Sequence, residues 1–318
     1  MKEKINEMFN ILSLNEEKQL NIEELLEYYA QLKDYVSKRK LTNTTPGALT
    51  VAPKLKGITN KISGKLTKIL CRSKVEIIAD GQENIPNEPV IFAGTHQGIL
   101  DGFVWIPYMP KHCVILHGAS VRTILKLVQL NTGLILVDKE SKENRQNAKL
   151  DMMKILLDGH SIVYFPEGTW NLSPNKLHLP MSHGFLDIAR KTNAAVVPLV
   201  MEYVYDGTKD IEHIHKIHIR FGKSIYVNTL DNLEQRLIEF QEVVSTIRWE
   251  LIEEKGIFHR NTVSNWDYIN YLKGNLRNLK LGGIDLDSER KHILGAEDDF
   301  YLFHHINDFS YNDMGELL

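Results

Sequence analysis

The chain holds two cysteines in 318 residues, Cys71 and Cys113. That is too few for a disulfide framework or a cysteine-based metal cluster, and a reducing compartment is expected. It lacks any apolar run near the roughly 18 residues of a transmembrane helix. Its first dozen residues are charged and amphipathic and carry no signal-peptide core. It also lacks a dominant charge: 38 basic side chains stand against 41 acidic ones, and a net −3 announces no nucleic-acid partner. Internal repeats and low-complexity tracts are missing too. What is there is an ordinary globular composition, 43% hydrophobic and 25% charged, which excludes disordered, collagenous and coiled-coil chains. Any membrane business is therefore expected to be conducted from the surface.

The chain divides by composition. Residues 1–41 read as an N-terminal helical segment, with Ile22, Leu25, Leu26, Tyr29, Leu32 and Val36 at helical spacing and Asn21 and Glu24 placed as a capping box. Residues 42–53 read as a linker. From Lys54 to Lys74 there are seven basic residues, no acid, and an apolar stripe of Leu55, Ile58, Ile62, Leu66 and Ile69. That pattern suits a basic amphipathic helix, either lying on an anionic membrane or packed on a core with its lysines solvated. Residues 75–255 alternate strand-like and helix-like segments, as in an α/β domain with a central mixed sheet flanked by helices. Strands are predicted at 75–78, 89–93, 113–116, 134–137, 161–165, 195–201 and 217–221, and helices at 145–157, 185–191 and 231–254. A proline inside the apolar run at Pro198 predicts an edge or a bulge. Residues 256–318 form a C-terminal extension with no legible chemistry.

Chemistry concentrates in a few segments. In GTHQGILDG, His96 precedes Asp101 by five positions. A base and its orienting carboxylate make sense together, because the carboxylate fixes the imidazole tautomer and stabilises the imidazolium. Five steps of regular helix rotate by about 140°, so the two cannot share a helix face. His96 is expected in the loop after a strand, with Asp101 in the first turns of the next helix. SIVYFPEGTW sets Glu167, Gly168 and Thr169 at a strand's C-terminal end, where α/β folds collect ligands. GLILVDK, from Gly133 to Lys139, delivers a charge at another strand end. His213, His215 and His218 lack a metal-ligand pattern, and no metal site is expected.

These segments, with Val196 to Leu199 as a fourth, resemble in their order the lysophospholipid acyltransferase family, whose best-known members are the 1-acylglycerol-3-phosphate acyltransferases. The resemblance covers about residues 75–225. It implies acyl transfer from an acyl thioester, on acyl carrier protein or coenzyme A, to a lysophospholipid-like hydroxyl, with no other cofactor. It makes His96 the general base and Asp101 its orienting partner. Lys139, Glu167, Gly168, Thr169 and Trp170 then belong to the acceptor site, and Gly133 and Pro198 have an acyl-site or structural role. A cytoplasmic protein on the inner face of the membrane is implied. Three departures bear on the acceptor: Trp170 stands where the family has Arg, Lys139 stands in an Arg position, and His183 stands where a Lys precedes the later glycine. All three weaken a phosphate site. Two alternatives remain open, an acyltransferase of the same chemistry for a non-phosphorylated or secondary-pathway acceptor, and a noncatalytic lipid-binding membrane adaptor.

Overall fold

A computed structural model describes residues 14–43, 76–97, 99–102, 104–109, 113–118, 133–138, 140–168, 170–171, 176–205 and 214–255. The basic segment 54–74 and the extension 256–318 lie outside the described residues, as do Lys139, Thr169, His213 and Cys71.

In chain order the elements are α1 (Leu14–Glu17), α2 (Ile22–Lys38), β1 (Glu76–Asp80), β2 (Val90–Gly94), β3 (Cys113–Gly118), β4 (Leu134–Val137), α3 (Lys142–Leu157), β5 (Ser161–Tyr164), α4 (Gly184–Thr192), β6 (Ala195–Tyr205), β7 (Ile214–Phe221) and α5 (Leu233–Lys255). Each strand expected from the sequence is present, several of them longer by a few residues. The strands form one seven-stranded sheet in the order β1-β7-β6-β2-β5-β3-β4. Among the described strands only the β6–β7 pair is antiparallel and the other pairings are parallel, so the sheet is mixed.

Period-two alternation divides the core between the two faces. Val196 and Val200 of β6 join Leu32, Met153, Phe185 and Phe240 from the helices. Ala195, Val197, Leu199, Met201 and Tyr203 face the other way, against Val104, Trp105, Ile106 and Met109. The second face is thus covered, among the described residues, by the short helical turns after β2. β2 is buried along its whole length, as a parallel strand covered on both faces must be.

α2 begins where its cap predicts. The Asn21 side chain accepts from Glu24 N–H at 3.0 Å, and Glu24 returns the bond to Asn21 N–H at 2.9 Å. The buried stripe is Leu25, Tyr28, Tyr29, Leu32 and Val36; Ile22 and Leu26, expected inside, are about half exposed at 50% and 51%. Tyr28, one turn before Leu32, completes the buried stripe, while position 26 lies about 200° around the helix from it and faces out. α1 is tied to α4 by buried charge, and the Tyr29 hydroxyl of α2 joins the same Glu17. Glu17 meets Arg190 and Lys191 of α4 at 2.5 Å each, with Asp187 beside both cations.

The expectation at Pro198 needs correction. Pro198 is no edge residue, because β6 lies inside the sheet between β7 and β2. An irregularity does fall there. Val196 bridges Ile225 while Leu199 pairs with Phe221, so three steps along β6 face four on its partner. The Pro198 carbonyl accepts from Gly222 N–H at 2.9 Å, while Pro198, which has no N–H to give, sits where the ladder with β7 begins.

Candidate active site

β2 ends at Gly94, and its parallel ladder carries the chain into the loop Thr95–Gln97 at the carboxyl edge of the sheet. A short helical turn, Ile99–Gly102, then brings Asp101 back under His96. His96 Nδ1 lies 2.9 Å from Asp101 Oδ2. The Asp101 side chain is fully buried and the His96 side chain is 20% exposed, so the ring alone faces outward. The Gln97 N–H donates to the same Asp101 oxygen, and the Tyr203 hydroxyl donates to Oδ1 at 2.5 Å. Trp105 Nε1–H closes the turn on the Asp101 carbonyl at 2.7 Å.

Aromatic rings wall in the imidazole. Phe165, just past the end of β5, stacks on His96 with centroids 4.4 Å apart and planes 18° from parallel. Trp170 meets it edge-on at 5.9 Å and is itself buried. Trp170 therefore stands against the candidate base. The neighbouring Asn171 N–H donates to the His96 carbonyl at 2.6 Å.

Glu167, expected in the acceptor site, lies beside the candidate base. It is buried, and both carboxylate oxygens accept from backbone: His96 N–H at 2.9 Å and Leu179 N–H at 2.7 Å. It thereby staples the His96 loop to the segment leading into α4. Burial pushes its carboxyl up from the ordinary 4.5 to about 7, against the lowering effect of those two N–H donors and Arg248. Gly168 is exposed with φ 71°, a left-handed turn that glycine adopts without strain, and its N–H donates to the Phe165 carbonyl at 3.0 Å. That N–H is committed to the turn. Gly133, with φ 83°, opens β4, and its carbonyl accepts from Ile115 N–H at 3.3 Å, a structural role.

The sequence signal missed Tyr203, Gln97, Glu202, Arg248 and Phe165. Tyr203 and Glu202 stand more than a hundred positions from His96, and only the β2–β6 register brings them there. Phe165 is visible in the Phe-Pro-Glu-Gly segment but carries no chemistry of its own. Among the described residues there is no group of three His, Cys, Asp or Glu side chains that could hold a metal ion.

A mixed sheet presenting a His–Asp pair at its carboxyl edge defines the class: residues 76–202 match the Acyltransferase family model. A 1-acyl-sn-glycerol-3-phosphate acyltransferase of Borreliella burgdorferi is 27% identical over 186 residues, which are 57% of this chain and 72% of that protein. A Chlamydomonas reinhardtii protein with the same description is 24% identical over 131 residues, 40% of this chain and 38% of its own. The crystal structure of PlsC, the 1-acyl-sn-glycerophosphate (LPA) acyltransferase of Thermotoga maritima, shares the fold with a TM-score of 0.51 at 18% identity, covering 70% of this chain and 89% of that one. Over residues 76–202 the chain is thus similar to the acyltransferase family, and its relatives point to a 1-acylglycerol-3-phosphate acyltransferase-like O-acyltransferase.

Proposed function

We propose that the chain transfers a fatty acyl group from an acyl thioester, on acyl carrier protein or coenzyme A, to the hydroxyl of a lysophospholipid-like acceptor such as 1-acylglycerol-3-phosphate. The observation that carries this is the 2.9 Å contact between His96 Nδ1 and a fully buried Asp101 at the carboxyl end of β2. With Nδ1–H donated to the carboxylate, the imidazole keeps its lone pair on Nε2. Nε2 takes the acceptor's hydroxyl proton as the oxygen attacks the thioester carbonyl, and Asp101 stabilises the imidazolium that forms. Collapse of the tetrahedral adduct breaks the C–S bond, and the departing thiolate recovers the proton from His96. The products are an ester and a free thiol, with no acyl-enzyme on the way. The reaction takes place on the inner face of the membrane, which the protein reaches from the surface; no described helix is long and apolar enough to cross a membrane.

Lys139 is the cation proposed for the acceptor's phosphate, and Thr169 is assigned to the same acceptor site; Glu167 serves that site by holding the His96 loop. A second reading of the acceptor is favoured by Trp170, which sets a flat ring 5.9 Å from His96 where the family pattern has a charged fork. On that reading the acceptor is a phosphodiester or a phosphate-free lipid of the same hydroxyl chemistry. The test is kcat/KM for lysophosphatidic acid, lysophosphodiesters and monoacyl lipids without phosphate, in wild type and Trp170→Arg. Improved use of lysophosphatidic acid by the variant supports the second reading. A wild-type preference for lysophosphatidic acid, lost in Lys139→Ala and indifferent to position 170, restores the first.

A further inference from the structure

β6 runs 11 residues, and from Val200 on it continues past the end of β2, beside the loop that carries His96. Consecutive side chains of a strand point to opposite faces. Tyr203 falls on the face with Leu199, Met201 and Trp105. Glu202 falls on the other, where Arg248 of α5 reaches its Oε2 at 2.8 Å. Two adjacent residues thus end up on either side of one loop.

From the first face, the Tyr203 hydroxyl holds Asp101 Oδ1 while Oδ2 takes His96 Nδ1 and the Gln97 N–H. From the second face, Glu202 Oε2 accepts from Gln97 Nε2 at 3.1 Å, and the same amide reaches the Met201 carbonyl. Arg248 is itself fixed, with Nη1 on the Leu177 carbonyl at 2.5 Å. Gln97 is therefore gripped at its backbone by Asp101 and at its side chain by β6. The loop is also pinned at Thr95, whose hydroxyl accepts from Met201 N–H at 3.2 Å.

We propose that Tyr203 is a positioning residue for the His96–Asp101 pair, and that the Gln97–Glu202–Arg248 chain steadies the same loop from the opposite face. The proposal rests on reading His96 as the general base. A carboxylate can rotate about its Cβ–Cγ bond; a short donor on Oδ1 fixes that plane, so that Oδ2 keeps facing Nδ1. Tyr203 also spreads the carboxylate's charge with a donor that leaves the proton of Nδ1 in place. Removing it leaves an anion with one donor fewer and a carboxylate plane free to turn away from Nδ1.

The test compares wild type, His96→Ala, Tyr203→Phe and Glu202→Gln in steady-state kinetics, with the downfield proton resonance of His96 Nδ1–H followed by NMR. Tyr203→Phe should lower kcat by about tenfold to a hundredfold, the range for losing a hydrogen bond to a charged group. KM should stay the same, and the Nδ1–H resonance should shift or broaden. Glu202→Gln turns one acceptor into a donor facing Arg248, and should lower kcat severalfold. Wild-type kcat and resonance in Tyr203→Phe, or a change confined to KM, would overturn the proposal while an inactive His96→Ala still upholds the base. Should Tyr203→Phe fail to fold, wild-type kcat in Glu202→Gln overturns the second arm by itself. A fully active His96→Ala defeats the reading underneath, whatever happens at position 203.

Discussion

Glu167 commits both carboxylate oxygens to the backbone of the loops beside the candidate base, and that role has a measurable consequence. Burial raises its carboxyl from 4.5 to about 7 in the folded chain. Between those values the folded state keeps a proton that the unfolded state has released, so this group's contribution to stability falls as pH rises through the window. Glu167→Gln removes the titration. The loss of unfolding free energy from pH 5 to pH 8 should shrink by about 3 kcal/mol relative to wild type, read by urea denaturation at both values. Equal losses in the two proteins would contradict the assignment. At this scale the sequence discloses what lies close along the chain. His96 and Asp101 are legible because five positions span one loop and one turn. Tyr203 is illegible, because a tyrosine in an apolar strand looks like core until the register places its hydroxyl on Asp101.

Among the elements, the capping box of α2 is fully legible, since Asn21 and Glu24 act across three residues. What anchors α1 and α2 is not, for Glu17 meets its partners Arg190 and Lys191 across some 170 positions. Breaking a buried ion pair leaves uncompensated charge. Glu17→Gln should therefore cost about 3 kcal/mol, the low end for such a break because Asp187 still faces both cations. The urea midpoint at pH 7 reads this directly. A variant within about 0.5 kcal/mol of wild type would mean that the cluster behaves as a solvated surface pair. Pro198 shows how an element-level rule can half succeed. A proline cannot donate to a ladder, which makes an edge a sound expectation. The interior of the sheet accommodates it because the β7 ladder starts at Leu199, with a one-residue irregularity just before it.

For the whole molecule, strand alternation discloses an α/β domain, but the sheet order is hidden. No local pattern tells that β7 inserts antiparallel to β6, between it and β1. The basic segment 54–74 is expected to take the protein to anionic lipid. Cosedimentation with phosphatidylglycerol vesicles should be strong at low salt and fall as salt screens the lysines, and absence of binding would favour the core-packed alternative. Turnover depends on all of these parts together, and it gives the most direct test of the central claim that His96 takes the acceptor's proton. The measurement is release of free thiol from an acyl thioester in the presence of mixed lysolipids, by wild type and by His96→Ala of unchanged circular dichroism. Wild type should release thiol in an acceptor-dependent way, and the variant should fall by about 10² to 10⁴, the usual worth of general-base assistance. Full turnover by His96→Ala would contradict that claim.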